Sequence, residues 1–254
     1  MSITSSVQGQ GIRVVTMDYP PVNALPTAAW FAIADAMHEA SADPETRVVI
    51  LRAEGRGFNA GVDIKEMQQT TGHGALIAAN RGCYAAFKAI YECAVPVISV
   101  VNGFCVGGGV GLVGNSDVII ASDDAYFGVP EVDRGALGAA THLARLVPPH
   151  KLRALYFSSQ NISAQTLESY GSVHLVVPRA ELDEAALEFA AVIAAKDTRV
   201  IRAAKEALNG IDPVDVNRSY RFEQGFTFEL NLAGVAAEHR DASVATGQHL
   251  APWA

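Results

Sequence analysis

The amino-acid sequence predicts an α/β fold, and three observations support this prediction. Short runs of β-branched and aliphatic residues, typical of buried parallel strands, alternate with segments in which apolar residues recur every three or four positions. The strand runs end after Ala180, and only helical periodicity follows. The 254 residues, 50% hydrophobic and 18% charged, suffice for one compact domain with an appendage or for two small domains.

The first elements form a predicted βαβ unit. Ile12–Met17 is predicted as a strand, Asn23–Pro26 as a turn, Thr27–Ser41 as a helix and Val48–Leu51 as a buried strand. Such a unit is expected to cross over in the right-handed sense. The apolar face of the helix comprises Trp30, Ile33, Ala34, Met37 and Ala40.

The rest of the chain continues this alternation before it becomes helical. Further strands are predicted at Val95–Val101, Asp117–Ala121 and Val173–Val177. Helices are predicted between them at Ile64–Gln69, Gly74–Ile90, Gly108–Gly114, His142–Leu146 and Lys151–Ser158. The last helices are predicted at Leu182–Lys196, Arg199–Leu208 and Val214–Val235. We place a boundary near Lys196, which divides a core of residues 1–196 from a helical region of residues 197–254.

One segment, Cys93–Ser116, has no charged residue and imitates a membrane span. Proline, asparagine and six glycines interrupt it, and no aromatic or basic belt flanks it. We therefore predict a buried strand followed by a helix, and no membrane partner.

Charge and cysteine content restrict the function class and the compartment. The net charge of −8 without a basic block argues against a nucleic-acid partner. Cys83, Cys93 and Cys105 form no Cys-x-x-Cys motif, and we predict reduced thiols in a cytoplasmic protein. Residues Met1–Gly11 show no signal-peptide pattern.

The first candidate site segment is the glycine-rich junction Gly55–Glu66. Asp63 followed three residues later by Glu66 resembles a capping box, so a helix is predicted to start there, just after the amide of Val62. For Asp63 itself an ordinary helix cap is the favoured interpretation.

The second junction, Val101–Gly111, follows a predicted strand and opens a helix with the run Gly107-Gly108-Gly109. Backbone amides from the two junctions, both near positive helix ends, could form an oxyanion hole. Close packing of helix on strand explains the glycines equally well. The overlapping Gly109-x-Gly111-x-x-Gly114 pattern also matches a dinucleotide fingerprint, but it does not lie in the first βαβ unit, where that fingerprint belongs.

Glu131, in the segment Phe127-Gly-Val-Pro-Glu131, is the foremost titratable candidate. A carboxyl group on an apolar loop is desolvated, which raises its pKa towards values useful for acid–base catalysis. An ion pair with Arg134 on a solvated turn is the alternative, and the residues alone favour it. Asp133 is predicted on the surface, and His142 is predicted to be packed rather than catalytic.

Other chemistries lack their motifs. The chain has no Gly-x-Ser-x-Gly nucleophile elbow, no His-Glu-x-x-His motif and no Cys/His cluster with ligand spacing. We therefore predict neither a serine nucleophile nor a metal.

Four motifs taken together resemble the crotonase (enoyl-CoA hydratase/isomerase) family over nearly the whole chain. They are Asn23-Ala24-Leu25, Phe58–Asp63, Val101–Gly111 and Phe127–Glu131, in the family's order and spacing. The resemblance implies a repeated ββα spiral core with a C-terminal helical region used in assembly. It also implies homotrimers or dimers of trimers, an acyl-CoA thioester as substrate and no separate cofactor, since CoA is part of the substrate.

The resemblance also assigns roles to residues. It implies that the amides of Val62 and Gly108 hold the thioester oxygen and that Glu131 is catalytic. It places the CoA cradle around Ala24, Ala60 and Ile64. The expected substrate-binding residues also include Gly61, Asp63 and Gly107, which adjoin these positions, and Arg134, whose charge could neutralise a carboxylate formed in the reaction.

The chain departs from hydratases at Gly111, where the family's second catalytic glutamate would fall. Simple hydration is therefore in doubt, and we expect Gly111 to leave room for a bulky ring. A narrower resemblance, through Arg52–Met67, Asn80–Cys83 and Glu223–Gly234, is to ring-opening carbon–carbon hydrolases of steroid breakdown within this family. An enoyl-CoA isomerase, a hydratase and a non-catalytic acyl-CoA-binding protein remain the alternatives.

Overall fold

The computed structural model describes residues 1–68, 73–235 and 237–239. The main sheet has six strands in the order β1-β2-β3-β4-β6-β9. β1 pairs antiparallel with β2, and the remaining neighbours are parallel. These strands are Ser2–Gln8, Ile12–Asp18, Val48–Ala53, Val97–Val101, Val118–Ser122 and Leu175–Val177.

A second sheet has three short strands, β5 (Phe104–Val106), β7 (Tyr126–Gly128) and β8 (Ile162–Ser163), in that spatial order. A main-sheet strand is twice followed by a strand of this second sheet, in β4–β5 and in β6–β7. The helix α4 (Gly108–Val113) completes the first of these units. This is the ββα repeat that the resemblance implied.

Helices cover both faces of the main sheet, which confirms the predicted α/β class. Along β3, Val49 and Leu51 contact the core under α1 and α3, whereas Val48 and Ile50 contact the core under α8. Because both faces are buried, the parallel strands show continuous apolar runs. The remaining elements are α1 (Thr27–Ala42), α2 (Ile64–Gln68), α3 (Gly74–Tyr91), α5 (Ala140–Leu143), α6 (Pro149–Ser158), α7 (Ala164–Ser169), α8 (Leu182–Ala194), α9 (Thr198–Ile211), α10 (Val216–Leu232) and two 3₁₀ turns, Val132–Arg134 and Arg179–Glu181.

The predicted helices and the predicted strands of the main sheet are present, with ends that shift by a few residues. Gln69, the predicted end of α2, lies outside the described residues. The charge-free run forms β4, β5 and α4. In the part of the chain that the structure describes, no helix is long and apolar enough to cross a membrane.

Four strands were not predicted: β1, β5, β7 and β8. β1 is a polar, largely exposed edge strand, so it lacks the hydrophobic signal of its neighbours. The other three have two or three residues each, too few to produce a periodic pattern.

Candidate active site

The first junction is held by two buried asparagines. Asn59 donates from Nδ2 to the carbonyl of Asn23 at 2.7 Å, and its Oδ1 accepts from the Gly61 amide at 2.8 Å. Asn23 adopts a φ of +52° and donates to carbonyls of the turn at residues 54–57. These bonds fix the backbone that leads into Val62.

The Val62 amide N–H is directed away from the segment around Leu25, which pairs with it. Leu25 forms a parallel bridge with Val62, in which the Leu25 amide donates to Gly61 O and the Asp63 amide donates to Leu25 O, both at 2.9 Å. In a parallel bridge the flanking residues supply these groups. The Val62 N–H therefore points to the other side.

The second junction places the Gly108 amide beside the first. Gly107 has a φ of +57°, and its amide donates to Gly128 O at 2.9 Å. A β-carbon on Gly61 would lie 3.3 Å from Gly108 N, so the two junctions are in contact. Among the hydrogen bonds of the described residues, neither Val62 N–H nor Gly108 N–H is a donor.

The glycines of this junction also serve packing. A β-carbon on Gly108 would lie 2.7 Å from Cη2 of Trp30, and one on Gly109 would lie 2.9 Å from Asn59 O. The packing interpretation of the glycine run is therefore confirmed, and the oxyanion-hole interpretation stays a prediction. Gly109 and Gly111 of the fingerprint-like pattern are buried inside this packing.

Glu131 faces the second junction. Its Oε1 would lie 2.6 Å from a β-carbon on Gly107, so a side chain at residue 107 would displace the carboxyl group from this position. The residue as a whole is half-buried, but Oε2 is shielded from solvent and has no hydrogen-bond partner among the described residues. Burial raises the pKa of Glu131 to about 8, against the lowering effect of the Arg134 charge.

The alternative of an ion pair with Arg134, which the residues alone favoured, is wrong. Among the described side chains no ion pair joins Arg134 to Glu131, although both contact the same cavity. The apolar environment determines the state of this carboxyl group.

These groups line an open cavity with about 1140 Å³ of empty space, its mouth included. Eight of the ten predicted site residues line it: Ala60, Gly61, Val62, Ile64, Gly107, Gly108, Glu131 and Arg134. The walls are largely apolar, as in small-molecule sites. The cavity therefore combines one carboxyl oxygen and two backbone amides that have no hydrogen-bond partner among the described residues.

The other two predicted residues, Ala24 and Asp63, lie beside the cavity rather than in its lining. Asp63 caps α2, since its Oδ1 accepts from Lys65 N at 2.9 Å. The predicted capping box is only half formed, because Glu66 instead accepts from the amide and hydroxyl of Thr27 at 2.7 and 2.9 Å. Glu66 thereby caps α1.

The expectation that Gly111 leaves open volume is wrong. The Phe87 ring fills the space that a side chain of residue 111 would need. His142 is packed, as predicted: it is 1% exposed, its ring contacts those of Phe87 and Tyr220, and burial lowers its pKa to about 3. Asp133 is exposed, as predicted.

Several cavity residues were not predicted, and most belong to α3 and α10. Their helical spacing showed which face is buried but not that this face lines a site. Within the described ranges, no three His, Cys, Asp or Glu side chains are grouped to hold a metal ion. The unpredicted lining residues on these helices are Leu76, Ala79, Asn80, Cys83, Phe87, Tyr220, Thr227 and Asn231.

Comparisons with known proteins agree with this architecture. The family model described as enoyl-CoA hydratase/isomerase matches residues 7–229. The (7aS)-7a-methyl-1,5-dioxo-2,3,5,6,7,7a-hexahydro-1H-indene-carboxyl-CoA hydrolase of Rhodococcus jostii is 70% identical over 98% of this chain and 96% of its own. The hydrolase of the same name from Mycobacterium tuberculosis is 71% identical over 96% of this chain and 99% of its own.

Comparison with a solved structure of this family supports the fold. The enoyl-CoA hydratase/isomerase of Xanthobacter autotrophicus superposes with a TM-score of 0.85 at 26% identity, covering 99% of each chain.

Proposed function

The chain belongs to the enoyl-CoA hydratase/isomerase, or crotonase, family, and on that premise we propose that it hydrolyses a carbon–carbon bond of a bicyclic diketo acyl-CoA. The substrate is the CoA thioester of 7a-methyl-1,5-dioxo-hexahydroindene carboxylic acid, and the reaction opens its five-membered ring in steroid degradation. The observation that carries this proposal is the identity of about 70% over nearly the full length of two hydrolases named for that substrate. The chain is accordingly an acyl-CoA hydrolase.

Water activation is assigned to Glu131. Its unpaired, shielded oxygen has capacity to accept a proton, and its raised pKa suits proton exchange near neutral pH. Glu131 takes one proton from water, and the hydroxide forms a bond to the carbon of the five-membered-ring ketone. The carboxyl group is then neutral, the form that its apolar environment favours.

Bond cleavage follows from the resulting adduct. The bond between the former ketone carbon and the quaternary ring carbon breaks, and its electron pair moves through the ring alkene to the thioester oxygen. The Val62 and Gly108 amides donate to that oxygen, an arrangement in which losing one donor costs about 3–4 kcal/mol of barrier. Glu131 returns its proton to the dienolate carbon. The former ketone carbon becomes a carboxylic acid, which releases its proton to solvent and leaves a carboxylate.

The binding roles of the remaining predicted residues form part of the proposal. Ala60, Gly61, Ile64 and Gly107 contact the thioester arm, and Arg134 neutralises the new carboxylate; their place in the cavity lining supports this. Ala24 and Asp63 lie one residue from the Leu25–Val62 bridge and act on CoA from outside the acyl cavity.

Hydration by two carboxylates is disfavoured for this chain. The place that the resemblance assigns to the second glutamate is Gly111, and the Phe87 ring occupies the adjacent space. An isomerase needs only one carboxyl group, so it remains the alternative that the site geometry permits.

Assembly as a homotrimer or dimer of trimers and a cytoplasmic location complete the proposal. The helical region after Lys196 exposes apolar side chains, which supports a role in assembly; they are Val200, Leu208, Ile211, Phe222, Phe226 and Leu232. The free, buried state of Cys83, Cys93 and Cys105 is compatible with a reducing compartment.

The first test uses the bicyclic diketo acyl-CoA in oxygen-18 water, with crotonyl-CoA as a parallel substrate and tandem mass spectrometry of the products. We expect label in a new carboxylate and no reaction of crotonyl-CoA. Label in a hydroxyl group formed from crotonyl-CoA, with the bicyclic substrate unchanged, would identify a hydratase. Binding of both thioesters without turnover would identify an acyl-CoA-binding protein.

A further inference from the structure

The segment at residues 136–141, here called the wall segment, forms one side of the cavity. Ala136, Leu137, Gly138 and Ala139 line the cavity, and Ala140 opens α5. A β-carbon on Gly138 would lie 3.6 Å from Cγ and 3.9 Å from Oε1 of Glu131. This backbone is therefore in contact range of the carboxyl group and shields it from water.

The wall segment is held by side chains from distant parts of the sequence. Thr227, on α10, binds both polar groups of Leu137: its hydroxyl donates to the carbonyl at 2.5 Å and accepts from the amide at 3.2 Å. Tyr156, on α6, accepts at its hydroxyl from the Gly138 amide at 3.2 Å. Two helices thus hold consecutive residues.

Glu223 supplies the third attachment. Its Oε1 accepts from the Ala140 amide at 2.9 Å and from the Tyr156 hydroxyl at 3.0 Å, and its Oε2 accepts from the Thr141 amide at 3.3 Å. The residue is 8% exposed and does not line the cavity. Because both of its oxygens are already bonded, Glu223 is suited to holding backbone rather than to proton transfer.

The conformation of the wall segment requires such attachments. Ala139 has a φ of +61°, in the left-handed region that non-glycine residues avoid. Backbone in that region persists where surrounding contacts over-determine it, and such positions cluster at functional sites.

We propose that Thr227, Tyr156 and Glu223 are positioning residues, which hold the wall segment against Glu131 and keep water away from its carboxyl group. This inference rests on the proposed function, because it assigns the three residues to the activation of Glu131. None of the three transfers a proton to substrate. Their effect is on the environment of one carboxyl group.

Both nearby charges and the position of the wall segment affect the pKa of Glu131, so a test has to change one of them without the other. Among the described residues, the positive charge of Arg134 lowers its pKa and the negative charge of Glu223 raises it. Substituting Glu223 would change both the charge and the attachment. Tyr156→Phe also removes a hydrogen bond that lowers the pKa of Glu223, whereas substituting Thr227 changes the attachment alone. The titratable groups that face Glu131 from its own turn, α3, α6 and α10 are Arg134, Cys83, Tyr156, Tyr220 and Glu223.

The test is therefore the titration of Glu131 in Thr227→Val and Tyr156→Phe, with Thr227→Ser as the variant that keeps the hydroxyl. Tyr170→Phe is the matched control for Tyr156→Phe, because Tyr170 is exposed at the end of α7. Carbon-13 NMR of protein labelled at glutamate carboxyl groups measures this titration without substrate, and Glu131→Gln assigns the signal.

We expect the Glu131 midpoint to fall by about one pH unit or more in Thr227→Val and Tyr156→Phe, since water reaches the carboxyl group. Thr227→Ser and Tyr170→Phe are expected to keep the wild-type midpoint. An unchanged midpoint in both folded attachment variants would overturn the proposal. Because the NMR titration does not depend on turnover, failure of the oxygen-18 experiment alone would contradict the proposed function and leave this result intact.

Discussion

The Phe87 ring packs directly against Gly111. A β-carbon on Gly111 would come within 2.6 Å of Cε1 of Phe87, and the ring also contacts Trp30, His142 and Tyr220 edge-on or tilted. The absence of a side chain at residue 111 therefore admits an aromatic ring from α3. Phe87 is 2% exposed and lines the cavity at the same time.

Gly111→Ala is expected to destabilise the protein by about 1–3 kcal/mol, because the added methyl group overlaps the Phe87 ring in a filled core. Urea unfolding measures the change. Phe87→Leu in the same chain makes space for the methyl group, so the double variant should be more stable than the sum of the two single effects predicts. Additive effects would show that the two positions do not compete for space.

Gly107→Ala is expected to lower kcat at least 100-fold. Its β-carbon would lie 2.6 Å from Glu131 Oε1 and would require a left-handed φ of +57°. Gly74→Ala is the matched control, because nothing lies within 4 Å of its β-carbon position and it needs no unusual φ. Turnover of the bicyclic thioester is the measurement. Equal rates for the two variants would remove Glu131 from the reaction.

Arg134→Gln is expected to raise the pH at which turnover is half-maximal. Turnover should increase with pH through about 8 in the wild type, because only the ionised Glu131 accepts a proton from water. The Arg134 charge favours that ionised form, so removing it moves the midpoint upwards. The pH profile of kcat/KM measures this shift, because it reports the ionisations of the enzyme without substrate. A lower or unchanged midpoint would contradict the electrostatic role of Arg134.

The central strands and helices could be predicted because the spacing of apolar residues within each segment already indicates its secondary structure. Thr27–Ala42 and Val48–Ala53 were predicted nearly to their ends, since apolar periodicity marks the buried faces of both. The edge strand Ser2–Gln8 was not predicted, because it is polar and largely exposed and so has no apolar periodicity. The apolar neighbours of Glu131 in the sequence made it a candidate, but its catalytic role was predicted from the family resemblance.

The rest of the site depends on contacts that no local pattern contains. Thr227 and Glu223 lie some 80–90 residues from the backbone groups that they bind. Helical periodicity places them on one face of α10 but does not say where that face docks. For the same reason, Gly111 suggested an open space, although the side chain that fills it, Phe87, belongs to another helix.

Glu131→Gln is expected to change how stability depends on pH. The folded-state pKa of about 8 lies above the ordinary value of a glutamate, so the native protein holds this proton where the unfolded chain releases it. Wild-type stability therefore has this contribution in full below about pH 4.5 and loses it as pH rises through about 8. The uncharged glutamine has no such loss.

Relative to the wild type, Glu131→Gln should thus gain about 1–3 kcal/mol of unfolding free energy between pH 5 and pH 8.5, a range that allows for partial exposure of the residue. Urea unfolding at both pH values, at one protein concentration, measures the difference, in which all other titrating groups cancel. Asp133→Asn, on the exposed neighbouring carboxylate, is the control and should show no such gain. A difference between wild type and Glu131→Gln that stays constant with pH would mean that Glu131 is ionised in the folded protein at pH 5, which would contradict its assignment as a desolvated base.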